Sequence, residues 1–329
     1  MCRSFCFPVL RGCLPSLDCF TLRIVSSLGC MLVLYTITTA PVWAQQAESE
    51  KLVKTALNHN SLSGSESILG QLTFLATFDH GLDADFSDGD RRIHTSVDLD
   101  RTKSDPGNAI DSVSIAEGEG RFGNAIRFAK KTRQALFYSA EKIGYRAEKW
   151  SGTLSVWMKL DPDKDLKPGY CDPILLSDKQ WDQSALFVDF DKDLPRDFRL
   201  GVFPDYKVWN PAATPWDDIP IQQRPMVVAK QPPFGSDQWT HVCFTWEDAN
   251  LPDDRPGKAT LYLNGKSQGS HSQVMRYTWD NQRAALMLGI YYIGLMDELA
   301  VFSVALSQDQ VLNLYESSQG LAKSLHEGK

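Results

Sequence analysis

The chain has 329 residues, 43% hydrophobic and 23% charged, the proportions of an ordinary globular protein. A net charge of −7, with no lysine- or arginine-rich run anywhere, excludes a nucleic-acid footprint. The length suits one large domain or two small ones.

The N-terminus reads as an export signal. Arg3, Arg11 and Arg23 precede an apolar, acid-free run, IVSSLGCMLVLYTITTA, followed by PVWAQQ. Val42 and Ala44 fit the small-residue rule for cleavage, which predicts a signal peptide over 1–44, removed after Ala44. An uncleaved anchor is the alternative, because the run approaches the length of a bilayer span. Either way the protein is expected to be secreted, periplasmic or held at the cell surface. Loss of 1–44 removes three arginines and one aspartate, leaving a net charge of −9. Five of the seven cysteines go with it, and only Cys171 and Cys243 remain. Export permits a disulfide between these two. A small buried thiol in HVCFTW would serve Cys243 equally well.

Residues 45–70 are polar and read as a linker or lead-in. From Gln71 the texture changes to short alternating or apolar runs broken by Gly, Pro, Asp and Asn. They include LTFLATFD, AIRFAK, TLSVWMKL, ALFVDF, FRLGVF, WTHVCFTWE, ATLYLNG, ALMLGIYY and GLMDELAVF. This texture predicts an all-β sandwich or barrel over 71–318. Asn264-Gly265 in LYLNGK marks a tight hairpin. SQDQVLNLY predicts a short helix capped by Ser307, plugging the sandwich rather than forming a layer. Residues 319–329 read as a flexible tail. Two stretches look inserted: the Asp- and Gly-rich 83–108, and the Pro- and aromatic-rich 204–235.

Four segments in order resemble the laminin-G-like, concanavalin A-like jelly-roll family: GEGRFGNAIRFAKK, WSGTLSVWMKL, DQWTHVCFTWED…ATLYLNGKSQG and LMLGIYYIGLMDELAVFSVALSQDQVLNLY. The resemblance implies two curved antiparallel sheets, with Trp157 as a core tryptophan of its strand. It also implies that His241, in WTHV, is a hydrogen-bonded structural residue. Several members of that family bind calcium near the position of Asp297, which makes Asp297 with Asp79 the candidate Ca2+ ligands; carboxylates suit that ion. The alternative is that Asp297 caps backbone N–H groups and Glu298 lies in solvent. In a regular strand these neighbours point to opposite faces, so they are not expected to form a catalytic pair.

The same superfamily houses glucanases and lyases. The nearest match to a one-face row of acids is VDFDKD, with Asp189, Asp191 and Asp193, yet Lys192 and Pro195 suggest that the strand is ending and predict a solvated turn. No GxSxG elbow or nucleophilic cysteine signature appears. A binder places aromatic faces on loops. Trp157, Trp239 and Trp246 fall on strands and read as packing. Trp181, Trp209, Trp216 and Trp279 lie in or beside loops, near Asn210 and Asp217, and are the candidate ligand-binding residues. Their alternative role is to fold back over the end of the sandwich. The expectation is a non-catalytic module that recognises carbohydrate or an envelope component. A glucanase- or lyase-type enzyme and an adhesive protein binding other proteins are the alternatives.

Overall fold

The computed structural model describes residues 68–321 and Lys323. The leader, most of the lead-in and most of the tail lie outside the described residues. Among the described residues seventeen strands form in chain order. The first eight are β1 (Leu72–Ala76), β2 (Phe86–Ser87), β3 (Ile93–Ser96), β4 (Ser104–Pro106), β5 (Val113–Ala116), β6 (Ala125–Phe128), β7 (Ala135–Ser139) and β8 (Trp150–Lys159). After a short helix α1 (Pro162–Asp165) come β9 (Cys171–Ser177), β10 (Ala185–Phe190) and β11 (Phe198–Phe203). A second short helix, α2 (Tyr206–Trp209), precedes β12 (Met226–Ala229), β13 (Thr240–Ala249), β14 (Gly257–Leu263), β15 (Lys266–Gln273), β16 (Ala285–Ile290) and β17 (Gly294–Phe302). Helix α3 (Gln308–Glu316) follows.

The strands make two antiparallel sheets. One runs β15-β14-β13-β8-β17-β1-β2, with β6 on β17 and β5 on β6; the other runs β12-β11-β10-β9-β16-β7-β3-β4. The stretch 83–108 is therefore not a bare insertion, since it supplies β2, β3 and β4. Period-2 alternation decides which side chains meet between the sheets. Leu154, Val156 and Met158 of β8 point inward, as do Val242, Phe244 and Trp246 of β13, against Leu186, Val188, Leu200 and Val202 of the second sheet. Burying each of these side chains contributes roughly 1.5–3 kcal/mol.

Asn264 and Gly265 both have positive φ (50° and 72°), and they join β14 to β15 where Leu263 pairs with Lys266. A Cβ on Gly265 would stand 2.8 Å from Leu312 of α3, so the turn is shaped by the helix as well as the hairpin. Ser307 caps α3 in a reciprocal capping box with Gln310. The helix does not plug an end. It lies on the outer face of the first sheet, where Val311 packs with Cys243, Tyr262, Ala300 and Phe302.

That placement corrects two expectations. Trp157 is buried, but on the outward face of β8, stacked on Tyr315 at 5.8 Å; Trp150 and Trp246 occupy the core between the sheets instead. Cys171 and Cys243 are both buried free thiols. Cys171 belongs to the core between the sheets, whereas Cys243 faces the opposite way, under α3. Side chains directed to different layers do not bridge.

Candidate functional site

The outer face of the second sheet carries a cavity of about 160 Å³. An engineered cavity of about 150 Å³ holds a benzene molecule, so this one has room for a single six-membered ring. Its floor comes from three neighbouring strands. On β10, Phe187 and Asp189 share the outward face, and across the ladder Phe187 pairs with Gly201 and Asp189 with Arg199 of β11. Any Cβ on residue 201 would fall 2.3 Å from the Phe187 ring, so glycine is what lets that ring lie across β11. On the other side, Val188 pairs with Ile174 and Phe190 with Cys171. Asp189 thus stands opposite both Asp172 and Pro173, a bulge that brings the two acids side by side.

Arg199 grips Asp189 as a fork, with Nε donating to Oδ1 at 2.9 Å and Nη2 to Oδ2. Nη1 reaches Asp191 Oδ2 at 3.1 Å, and the guanidinium lies 5.1 Å from the centre of the Tyr170 ring. Both Asp189 and Arg199 are buried, which calls for such pairing. Asp172 has no side-chain hydrogen bond and is half-buried at the cavity. Burial, then the charge of Asp189, lifts its pKa to about 8, with Arg199 only partly opposing this. Burial raises Asp189 as well, but Asp189 has Arg199 to hold its charge. At neutral pH the proton of the pair therefore sits on Asp172, which makes it both a donor and an acceptor.

Trp181 and Trp216 form the aromatic wall, edge to face at 5.5 Å and 82°. Trp181 is 39% exposed and rests on Phe203 and Phe187. The Arg224 guanidinium covers Trp216 at 4.2 Å and donates to the Trp216 and Ile219 carbonyls, which fixes the short 3-10 turn Trp216–Asp218. Of the other loop candidates, Trp209 is half-buried and donates its indole N–H to the Asp182 carbonyl at 2.9 Å. Asn210 is engaged with Thr214 and Tyr206 and shapes its own loop. Asp217 is exposed beside Trp216. Trp279 does not join them: it is buried in the core, stacked on Tyr145 at 4.8 Å, with its N–H on the Ser184 carbonyl.

Tyr170, Asp172, Phe187, Arg199 and Met226, which with Asp189 complete the cavity lining, were not singled out from the sequence. For Asp189, the solvated-turn expectation is corrected, since that residue lies inside β10 and is buried. A signal was present. ALFVDF and FRLGVF each place one charge of opposite sign on an otherwise apolar strand, ten residues apart, as a facing hairpin pair requires.

Asp79 and Asp297 lie at the first sheet. Asp79 Oδ1 accepts the Asn124 N–H at 2.7 Å, and Asp297 Oδ2 accepts the Phe122 N–H at 2.9 Å, while its Oδ1 takes the Glu298 N–H at 2.7 Å. Both carboxyls thus hold the glycine-rich loop before β6. With Asp79 Oδ1 and both oxygens of Asp297 taken by backbone N–H donors, these carboxyls have a structural role that needs no calcium. Among the described residues no group of three or more His, Cys, Asp or Glu side chains could hold a metal ion. Glu298 is not in solvent. It adopts φ 51° at a bulge in β17, is buried, and accepts the Leu321 N–H at 2.8 Å. Burial raises Asp297 to about 8 and Glu298 to about 7.

Among the described residues no helix is long and apolar enough to cross a membrane. No curated protein sequence matches the chain. Several solved structures are similar to it in part. Domain 4 of an extracellular arabinanase from Geobacillus stearothermophilus, in complex with arabinotriose, is 16% identical with a TM-score of 0.47; the match covers 75% of this chain and 98% of that one. The receptor binding domain of botulinum neurotoxin C/D mosaic serotype is 12% identical with a TM-score of 0.50, over 76% of this chain and 52% of that one. A Trypanosoma rangeli sialidase is 13% identical with a TM-score of 0.44, over 78% of this chain and 33% of that one. The chain therefore spans nearly all of the arabinanase domain but only about half of the neurotoxin domain. In sequence, residues 146–312 match a laminin G family model described as the concanavalin A-like lectin/glucanases superfamily, and the chain belongs to that superfamily.

Proposed function

We propose that this chain is an exported, non-catalytic module that binds a neutral glycan on the outer face of its second sheet. The observation that carries the reading is the cavity itself, where an aromatic wall of Trp181 and Trp216 stands over a carboxyl, Asp172, that has no partner of its own. A sugar ring has an apolar face for the indoles and hydroxyls that both donate and accept, which is what a protonated Asp172 offers. Each nitrogen of Arg199 already meets Asp189 or Asp191, so the cation of the floor is paired before an acidic sugar could use it. The test is a glycan-array screen of residues 45–329, with Trp181→Ala as control. Neutral glycans should bind and the variant should lose them, with uronate and sialylated glycans silent. A folded protein that binds no glycan would overturn the reading.

A second reading has one observation in its favour. Two neighbouring carboxyls, one protonated and one ionised, are the parts of a glycosidase acid–base pair. Release of reducing ends from a bound oligosaccharide, abolished by Asp172→Asn, would establish it. Intact oligosaccharide after prolonged incubation would leave the module non-catalytic.

A further inference from the structure

The outer face of the first sheet holds a second cavity, about 280 Å³, beneath α3. Its walls are largely apolar and include Phe122, Trp157, Leu314 and Leu321. Strand alternation sets Ser155 of β8 and His241 of β13 side by side on its floor, with Ser155 Oγ 2.8 Å from His241 Nε2. His241 is 1% exposed, and its Nδ1 has no hydrogen-bond partner. A buried polar atom without a partner costs about 1–3 kcal/mol, so this one calls for an explanation.

The Ser155–His241 pair leaves one donor free whichever way the proton lies. If Ser155 donates to Nε2, the N–H of Nδ1 is unused; if Nε2 donates to Ser155, the serine hydroxyl is unused, since it has no other bond. Burial keeps the ring neutral, lowering its pKa to about 3. No lysine or arginine is among the described residues that line the cavity, so nothing in its walls favours an anion. Trp157 and Phe122, edge to face at 6.0 Å with Arg121 stacked on both rings, form a wall held from outside.

We propose that this cavity is a second ligand site, separate from the glycan cavity, for a small neutral molecule with an apolar body and one hydrogen-bond-accepting oxygen. The body lies against Trp157, Phe122 and Leu314, and the oxygen accepts from the Ser155 hydroxyl, with the imidazole proton on Nε2.

Three probes of similar shape test this on the full chain without any variant: benzyl alcohol, toluene and benzoate, measured by calorimetry and by soaking crystals. Benzyl alcohol should bind about three- to tenfold more tightly than toluene, the increment of one buried neutral hydrogen bond. Benzoate should bind more weakly than either, and the soaked crystal should show the hydroxyl at Ser155. In Ser155→Ala combined with His241→Phe, benzyl alcohol should lose its advantage while toluene binding persists. Equal affinities for benzyl alcohol and toluene, no binding of either, or a crystal structure with the chain's own residues filling the cavity would each overturn the proposal.

Discussion

Asp172 is the residue on which the glycan reading turns. Its folded pKa is raised above the ordinary carboxyl value of 3.8 to about 8, so at neutral pH it carries a proton that a sugar hydroxyl can accept. Above that value the donor is lost and a bare carboxylate remains beside Asp189. Affinity for a neutral glycan should therefore fall as pH rises from 7 to 9. In Asp172→Asn, which keeps a donor and an acceptor at all pH values, calorimetry should find affinity within a few-fold of wild type at pH 7 and flat across that range. A wild-type affinity that rises with pH would contradict this role. The same residue shows what the sequence could and could not reveal. Trp181 and Trp216 were legible because aromatic residues among Asp, Pro and Asn stand out in a loop. Asp172 was not, because its neighbour Asp189 reaches it only through strand pairing and a bulge. Trp279 misled for the converse reason: a loop position says nothing about direction, and this side chain turns into the core.

At the level of elements, β10 and β11 make the floor, and Gly201 is the point where they can be tested. Gly201→Ala would place a methyl group 2.3 Å from the Phe187 ring and drive the ring into the cavity. The expected cost is about 1–3 kcal/mol in urea unfolding, as for other overpacked sites. Glycan binding should be lost while the far-UV spectrum is retained; unchanged binding would show that Phe187 is no part of the floor. The glycine-rich loop before β6 offers a second test. Asp79 and Asp297 anchor that loop by accepting N–H groups, so millimolar calcium followed by EDTA should leave the thermal midpoint unchanged. A reversible rise of several degrees with calcium would contradict that account. The strands themselves were well marked by alternation and by Asn264-Gly265. The bulge at Glu298 was not, since alternation assumes a regular strand, and it is this bulge that leaves both adjacent acids buried rather than one in and one out.

The whole molecule sums these acids. Asp172 and Asp297 have folded pKa values near 8 and Glu298 near 7, all above their unfolded values of about 4. The folded state therefore binds more protons than the unfolded state between these limits. The contribution of the three groups is complete below pH ~4 and is lost as pH rises through 7 to 8. Urea unfolding should give a lower stability at pH 8.5 than at pH 5, and Asp297→Asn with Glu298→Gln should flatten that slope; a stability that rises across this window would contradict the burial argument. The sandwich as a whole was readable from the order of its strand motifs, whereas the two cavities described above arise only when distant strands pair and α3 covers one outer face. The central claim is that glycan lies on the other outer face. The most direct measurement is a crystal structure of the chain with the tightest-binding oligosaccharide from the array. The account predicts one sugar ring against Trp181 and Trp216 with a hydroxyl on Asp172, and a sugar seated anywhere else would contradict it.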